Sequence, residues 1–115
     1  MTALAGDWLA VGLETDIPLQ GARVVKTGAG DIAVFRTLDG TVRAVEDRCP
    51  HRGGPLSQGI VHGDTVTCPL HNWVISLATG EAQGADSGCV RTIPVRVDGG
   101  RIYLSASALG ALRAA

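Results

Sequence analysis

Four residues concentrate the chemistry of this 115-residue chain: Cys49, His51, Cys68 and His71, in the stretch CPHRGGPLSQGIVHGDTVTCPLHNW. They form a Cys-x-His pair, a spacer of 16 residues and a Cys-x-x-His pair. The chain has three cysteines and three histidines, and two of each stand at these corners. Taken singly, a cysteine is a small buried hydrophobe and a histidine a hydrogen-bonding surface residue. A Cys49–Cys68 disulfide would leave both histidines unexplained, and an odd cysteine count speaks against a disulfide framework. Together, two thiols and two imidazoles make a donor set that suits tetrahedral zinc and also suits an iron–sulfur cluster.

The distribution of the donors separates these two. Zinc fingers usually set a Cys pair apart from a His pair, whereas here each loop supplies one of each. A Cys-x-His pair is a tight bite for one ion and an easier one for two irons bridged by sulfide. On these residues the chain resembles the Rieske [2Fe–2S] motif. The resemblance implies a Rieske-type cluster with Cys49 and Cys68 on one iron and His51 and His71 on the other. A zinc-stabilised binding module without redox activity is the alternative. Charge supplies the reason for the mixed ligands. Two ferric ions, two sulfides and two thiolates sum formally to zero, and an electron enters a neutral centre more easily than a dianion. Rieske potentials accordingly lie at roughly −150 to +300 mV, against about −400 mV for plant-type clusters.

The residues between the ligands fit a cluster loop. Pro50 and Pro69 stiffen the chain beside each cysteine. Arg52-Gly53-Gly54-Pro55 lets backbone pass close to the metal, with N–H groups free to donate to sulfur. Leu56, Leu70 and Trp73 are expected to shield the cluster, while both histidine edges reach the surface for electron exit. High-potential Rieske proteins carry an extra loop disulfide and a serine after the second ligand pair. Gly53 and Asn72 stand near the ligand pairs here, and no loop cysteine remains, which implies the low-potential, ferredoxin-like class.

Two families share this pattern in a small chain. The runs CPHRGGPLSQGIV, CPLHNWVISLATGEAQGAD and GCVRTIPVRV resemble the small subunit of assimilatory NAD(P)H-dependent nitrite reductase. The Rieske ferredoxin component of ring-hydroxylating dioxygenase systems is the alternative; such ferredoxins usually carry glycine after the second histidine, where this chain has Asn72. The nitrite reductase resemblance implies a large partner subunit bearing flavin, sirohaem and a [4Fe–4S] cluster, where nitrite becomes ammonium. It implies oxidoreductase activity of the assembled enzyme in nitrate assimilation, with no catalytic residue and no nitrite site in this chain. Cys89 matches no ligand position and is expected to be a buried or semi-buried thiol. His62 is expected at an exposed turn.

The remaining composition narrows the partners. Apolar residues make up 45% and charged residues 18%, with a net charge of −1, so neither nucleic acid nor a membrane surface is indicated. The opening MTALAGDWLAVGLETDIP lacks a basic start, and no apolar run approaches a membrane span, so a cytoplasmic location is expected.

The elements that must position the ligands read as strands. With 16 glycines and few long apolar runs, hairpins are favoured over helices. Strands are expected at 8–12, 23–26, 31–38 and 41–46, the last two joined by a two-residue turn at Asp39-Gly40. A hairpin over 59–67 turns at His62-Gly63-Asp64. Residues 73–77 resume a strand, with a turn at Gly80 and a loop over 84–88. Residues 91–97 and 101–104 form a last hairpin, and 105–115 is a short helix or a frayed tail. The expected fold is all-β, an antiparallel β-sandwich or barrel. One domain over 1–115 would carry a cluster-binding insertion of two loops at about 47–76.

Overall fold

Two strands whose side chains are buried on both faces organise the molecule. The computed structural model describes residues 8–28, 30–49, 54–69, 72–84 and 88–114. In strand β3, Gly30–Arg36, four consecutive residues, Ile32, Ala33, Val34 and Phe35, are at most 1% exposed. Its neighbour β4, Val42–Glu46, buries Val42 and Ala44 on one side and Val45 on the other. A run of apolar residues without polar alternation is what a strand covered on both faces requires. These two strands lie inside an antiparallel sheet of order β2-β3-β4-β8, where β2 is Gly21–Thr27 and β8 is Thr92–Ile93.

One face of this sheet meets a second sheet, and the other meets the loops that carry the cysteines. The second sheet has the order β1-β10-β9, with β1 Trp8–Leu13, β9 Val95–Asp98 and β10 Arg101–Ser105. Ile32, Val34, Val42 and Ala44 pack with Ile17, Ile93, Ile102 and Leu104 in the first core. The tail is helical: α1, Ala106–Ala114, follows β10 directly and contributes Leu109 to that core. Ser105 starts the helix by accepting the Ala108 N–H on its hydroxyl at 3.1 Å, an N-cap contact. The opposite face puts Ala33, Phe35 and Val45 into a second core with Cys49, Leu56, Val61, Val66, Cys68, Ile75, Leu77 and Val90. Val61, Val66 and Ile75 of that core come from a third sheet, β5 Ile60–His62, β6 Thr65–Thr67 and β7 Val74–Ser76. The architecture is the expected all-β one.

Two local expectations are corrected. The connection from β3 to β4 is a three-residue loop rather than a two-residue turn. Thr37 N–H donates to Thr41 O at 2.8 Å, and Gly40 N–H donates to Thr37 O at 2.9 Å. Gly40 takes φ +89, the left-handed residue that follows a type I turn in such loops. Local polar bonding decides this outcome, because the Asp39 carboxylate accepts from Thr37 Oγ1 and from Thr41 N–H. The expected strand over 91–97 is also split. Pro94 has no N–H to give to a ladder. The chain therefore leaves β4 after Ile93 and joins β10 from Val95, crossing from one sheet to the other.

The Asp39 bonds carry a measurable consequence. They favour the ionised carboxyl, the Thr37 hydroxyl most and the Thr41 N–H next, and lower its pKa from 3.8 to about 2. A depressed acid stabilises the folded chain above its unfolded value, and that contribution disappears as pH falls from 3.8 towards 2. A carbon-13 NMR titration is expected to place the Asp39 midpoint near 2, with Thr37→Val moving it back towards 3.8. A wild-type midpoint at the ordinary value would refute the turn geometry.

Candidate metal centre

Each candidate cysteine opens a short loop that closes on its own backbone. Cys49 N–H donates to Gly54 O at 2.8 Å, and Cys68 N–H donates to Trp73 O at 2.7 Å. Both bonds span five residues, so the two loops are built to the same size. Cys49 is 2% exposed and Cys68 is fully buried, and both belong to the second core. The sequence places them 19 residues apart, and the third sheet folds back to bring them into one apolar cluster. Leu56 is buried there, and Trp73 packs half-buried against this core.

The first loop leaves the end of β4. Glu46 N–H donates to Arg91 O at 3.0 Å, and Asp47 N–H donates to Asp31 O at 3.0 Å, which continues the sheet to within two residues of Cys49. After Gly54 and Pro55 the chain makes a 3-10 turn over Leu56–Gln58. The Asp47 carboxylate reaches across to this turn, accepting Ser57 N–H at 2.7 Å and Ser57 Oγ–H at 2.8 Å. The second loop sits on the β6–β7 hairpin, directly beyond the Thr67↔Val74 ladder pair. Within it Asn72 adopts φ +59. Asparagine tolerates the left-handed region better than most residues, so it meets the turn without glycine.

The third sheet is fastened to the main one by polar contacts. Arg43 on β4 grips Asp64 in the β5–β6 turn with both arms, Nε–H to Oδ1 at 3.1 Å and Nη2–H to Oδ2 at 2.9 Å. Gln20 Nε2–H donates to Val61 O at 3.4 Å, and within the third sheet Leu77 N–H donates to Asp64 O at 2.8 Å, tying the end of β7 to the same turn. A bidentate Arg–carboxylate pair fixes orientation as well as distance.

His51 and His71 lie outside the described residues, as do Pro50, Arg52, Gly53 and Leu70. His62 is exposed at the β5–β6 turn, as expected, with Nε2 2.7 Å from Thr67 Oγ1 and Nδ1 3.2 Å from Thr65 Oγ1. Cys89 is exposed, against the expectation of a buried or semi-buried thiol. Alternation along the chain explains it: Val90 turns inward to the second core, so the preceding side chain turns out. No disulfide joins Cys49, Cys68 and Cys89. The donor chemistry fits an iron–sulfur cluster: two buried thiols, in one cluster, at the heads of two matched loops. Sequence reasoning did not find Asp47, Ser57, or the Arg43–Asp64 pair. Asn72 did carry a signal, since aligning the two loops on their cysteines sets it opposite Gly53.

Comparison with known proteins agrees with this geometry. The family model for the Rieske [2Fe-2S] domain matches residues 7–94. The 3-phenylpropionate/cinnamic acid dioxygenase ferredoxin subunit of Photorhabdus laumondii is 39% identical over 94 residues, covering 80% of this chain and 88% of that protein. The 4beta-methylsterol monooxygenase of Methylococcus capsulatus is 42% identical over 66 residues, 57% of this chain, and the chain spans only 18% of its length. A solved structure from Mycobacterium tuberculosis, provisionally assigned as an NADH-dependent nitrite reductase small subunit, superposes with a TM-score of 0.77 at 27% identity, covering 85% of this chain and 93% of that one. The zinc-module alternative gives way to this match. Among the described residues no helix is long and apolar enough to cross a membrane. The chain therefore belongs to the Rieske family, and its prosthetic group is a [2Fe–2S] cluster that carries one electron at a time.

Proposed function

We propose that this chain is the small subunit of a cytoplasmic NAD(P)H-dependent nitrite reductase. It relays electrons within, or docks onto, a large subunit bearing flavin, sirohaem and a [4Fe–4S] cluster. Nitrite is reduced to ammonium on that partner in a six-electron reaction. Cys49 and Cys68 hold one iron and His51 and His71 the other, and residues 1–115 act as one domain with a low-potential cluster. The observation that carries the reading is the second loop, Cys68-Pro69-Leu70-His71-Asn72-Trp73. It has asparagine where dioxygenase ferredoxins usually have glycine, and Asn72 takes the left-handed φ of +59 that this position demands. The likeness to the Mycobacterium tuberculosis structure supports it.

A second reading, a ferredoxin that feeds a ring-hydroxylating oxygenase, is favoured by the 39% identity to the Photorhabdus laumondii subunit over 88% of its length. Reconstitution separates the two. The holoprotein is added to a large nitrite reductase subunit and, in parallel, to an oxygenase with its flavin reductase. Faster NAD(P)H-dependent nitrite loss in the first mixture, with no product in the second, is expected. Turnover only in the oxygenase mixture would establish the second reading.

A further inference from the structure

The two cluster loops have equal size but unequal necks. The second is closed by a β-ladder, since Thr67 and Val74 are paired on β6 and β7 immediately outside Cys68 and Trp73. The first runs from β4 into a 3-10 turn, and the positions flanking Cys49 and Gly54 belong to no ladder pair. Asp47 supplies the missing closure. Its backbone N–H is bonded to β3 through Asp31 O at 3.0 Å, so its carboxylate projects from a fixed strand end. Both carboxylate oxygens then take Ser57, one through N–H at 2.7 Å and one through Oγ–H at 2.8 Å. These are short, charge-assisted bonds, stronger than neutral ones. They also give a partner to a backbone donor in the first turn of Leu56–Gln58, where none is available within the turn.

We propose that Asp47 is a positioning residue for the cluster: with Ser57 it forms a latch that holds the two described ends of the first loop, Cys49 and Gly54–Pro55, in place. The inference rests on the cluster assignment above. The latch acts through the described ends of the loop that Cys49 opens, and Asp47 is not itself one of the proposed ligands.

Iron release to a chelator from the full-length holoprotein tests it, together with the EPR spectrum of the reduced cluster. Asp47→Ala is expected to release iron about 10- to 100-fold faster, the range typical for loss of an outer-shell partner, with broadened EPR lines. Asp47→Asn retains an acceptor for Ser57 N–H and is expected to stay within a few-fold of wild type. Asp47→Ala/Ser57→Ala is expected to be no faster than Asp47→Ala alone, because the pair acts as one unit. If Asp47→Ala does not fold, Ser57→Ala carries the test, with an acceleration of several-fold. Variants that hold iron as tightly as wild type, with unchanged EPR lines, would overturn the latch while leaving the cluster assignment intact. Wild-type protein without iron or acid-labile sulfide would overturn both.

Discussion

Cys68→Ala is expected to yield protein with less than about a tenth of the wild-type iron and sulfide, no visible cluster absorption and no EPR signal after dithionite reduction. In the proposed ligand set the Cys68 thiolate binds iron, and alanine offers nothing in its place. No neighbouring thiol can substitute: Cys49 is committed to its own loop, and Cys89 is exposed at the Glu81↔Cys89 bridge. The loss reaches beyond the metal. Cys68 is fully buried among Phe35, Val66 and Ile75, so its removal also leaves a sulfur-sized gap in the second core. That gap costs about 1 kcal/mol on its own. Loss of the cluster removes the larger contribution, because metal binding and loop order are coupled. The thermal midpoint of Cys68→Ala should therefore coincide with that of wild type stripped of its cluster, to within the small cavity effect. A Cys68→Ala protein that retained full iron and the wild-type spectrum would show that the second thiolate comes from elsewhere.

The same residues show what can be read from a sequence. Cys49 and Cys68 stand out in the sequence because few residue types bind metal and their spacing is unusual, and the fold adds that both are buried in one core. β3 is legible because DIAVF leaves no polar face. The Asp39-Gly40 connection misled because a two-residue hairpin and a three-residue loop share that dipeptide. Only the Thr37 hydroxyl and Thr41 N–H, competing for one carboxylate, decide between them. Pro94 was visible as a residue without an N–H, yet its effect depends on β4 and β10 lying in different sheets, which no local pattern reveals. The Asp47–Ser57 and Arg43–Asp64 contacts join residues 10 and 21 positions apart, and neither pair has a periodicity to announce it. The features missed are thus the tertiary polar contacts that turn a ligand list into a held site.

Gly59→Ala is expected to be among the most damaging single-methyl changes in the chain. The backbone angle is not the reason, since Gly59 has φ −81, which alanine adopts freely. The reason is space. A Cβ at Gly59 would lie 2.2 Å from Thr67 O and 2.9 Å from Val66 Cγ2. Thr67 O is backbone, one residue before Cys68, and Thr67 is paired with Ile60 on one side and Val74 on the other. It cannot rotate away; the β5–β6 pair must shift, and the shift is passed to the second loop. Overpacking of this kind costs about 3 kcal/mol, a large share of the roughly 5–15 kcal/mol that holds a small domain together. Gly63 supplies the contrast. It sits at φ +59 with no atom within 4 Å of a built Cβ, so Gly63→Asn meets open space in a conformation asparagine tolerates. Urea unfolding of the two holoproteins should therefore show a midpoint lowered sharply for Gly59→Ala and by less than about 1 kcal/mol equivalent for Gly63→Asn. Iron release should be faster only in the first. Equal stability of Gly59→Ala and wild type would mean that β5 does not lie against Thr67 as the fold places it, and that the second loop is supported by something other than the β5–β6–β7 sheet.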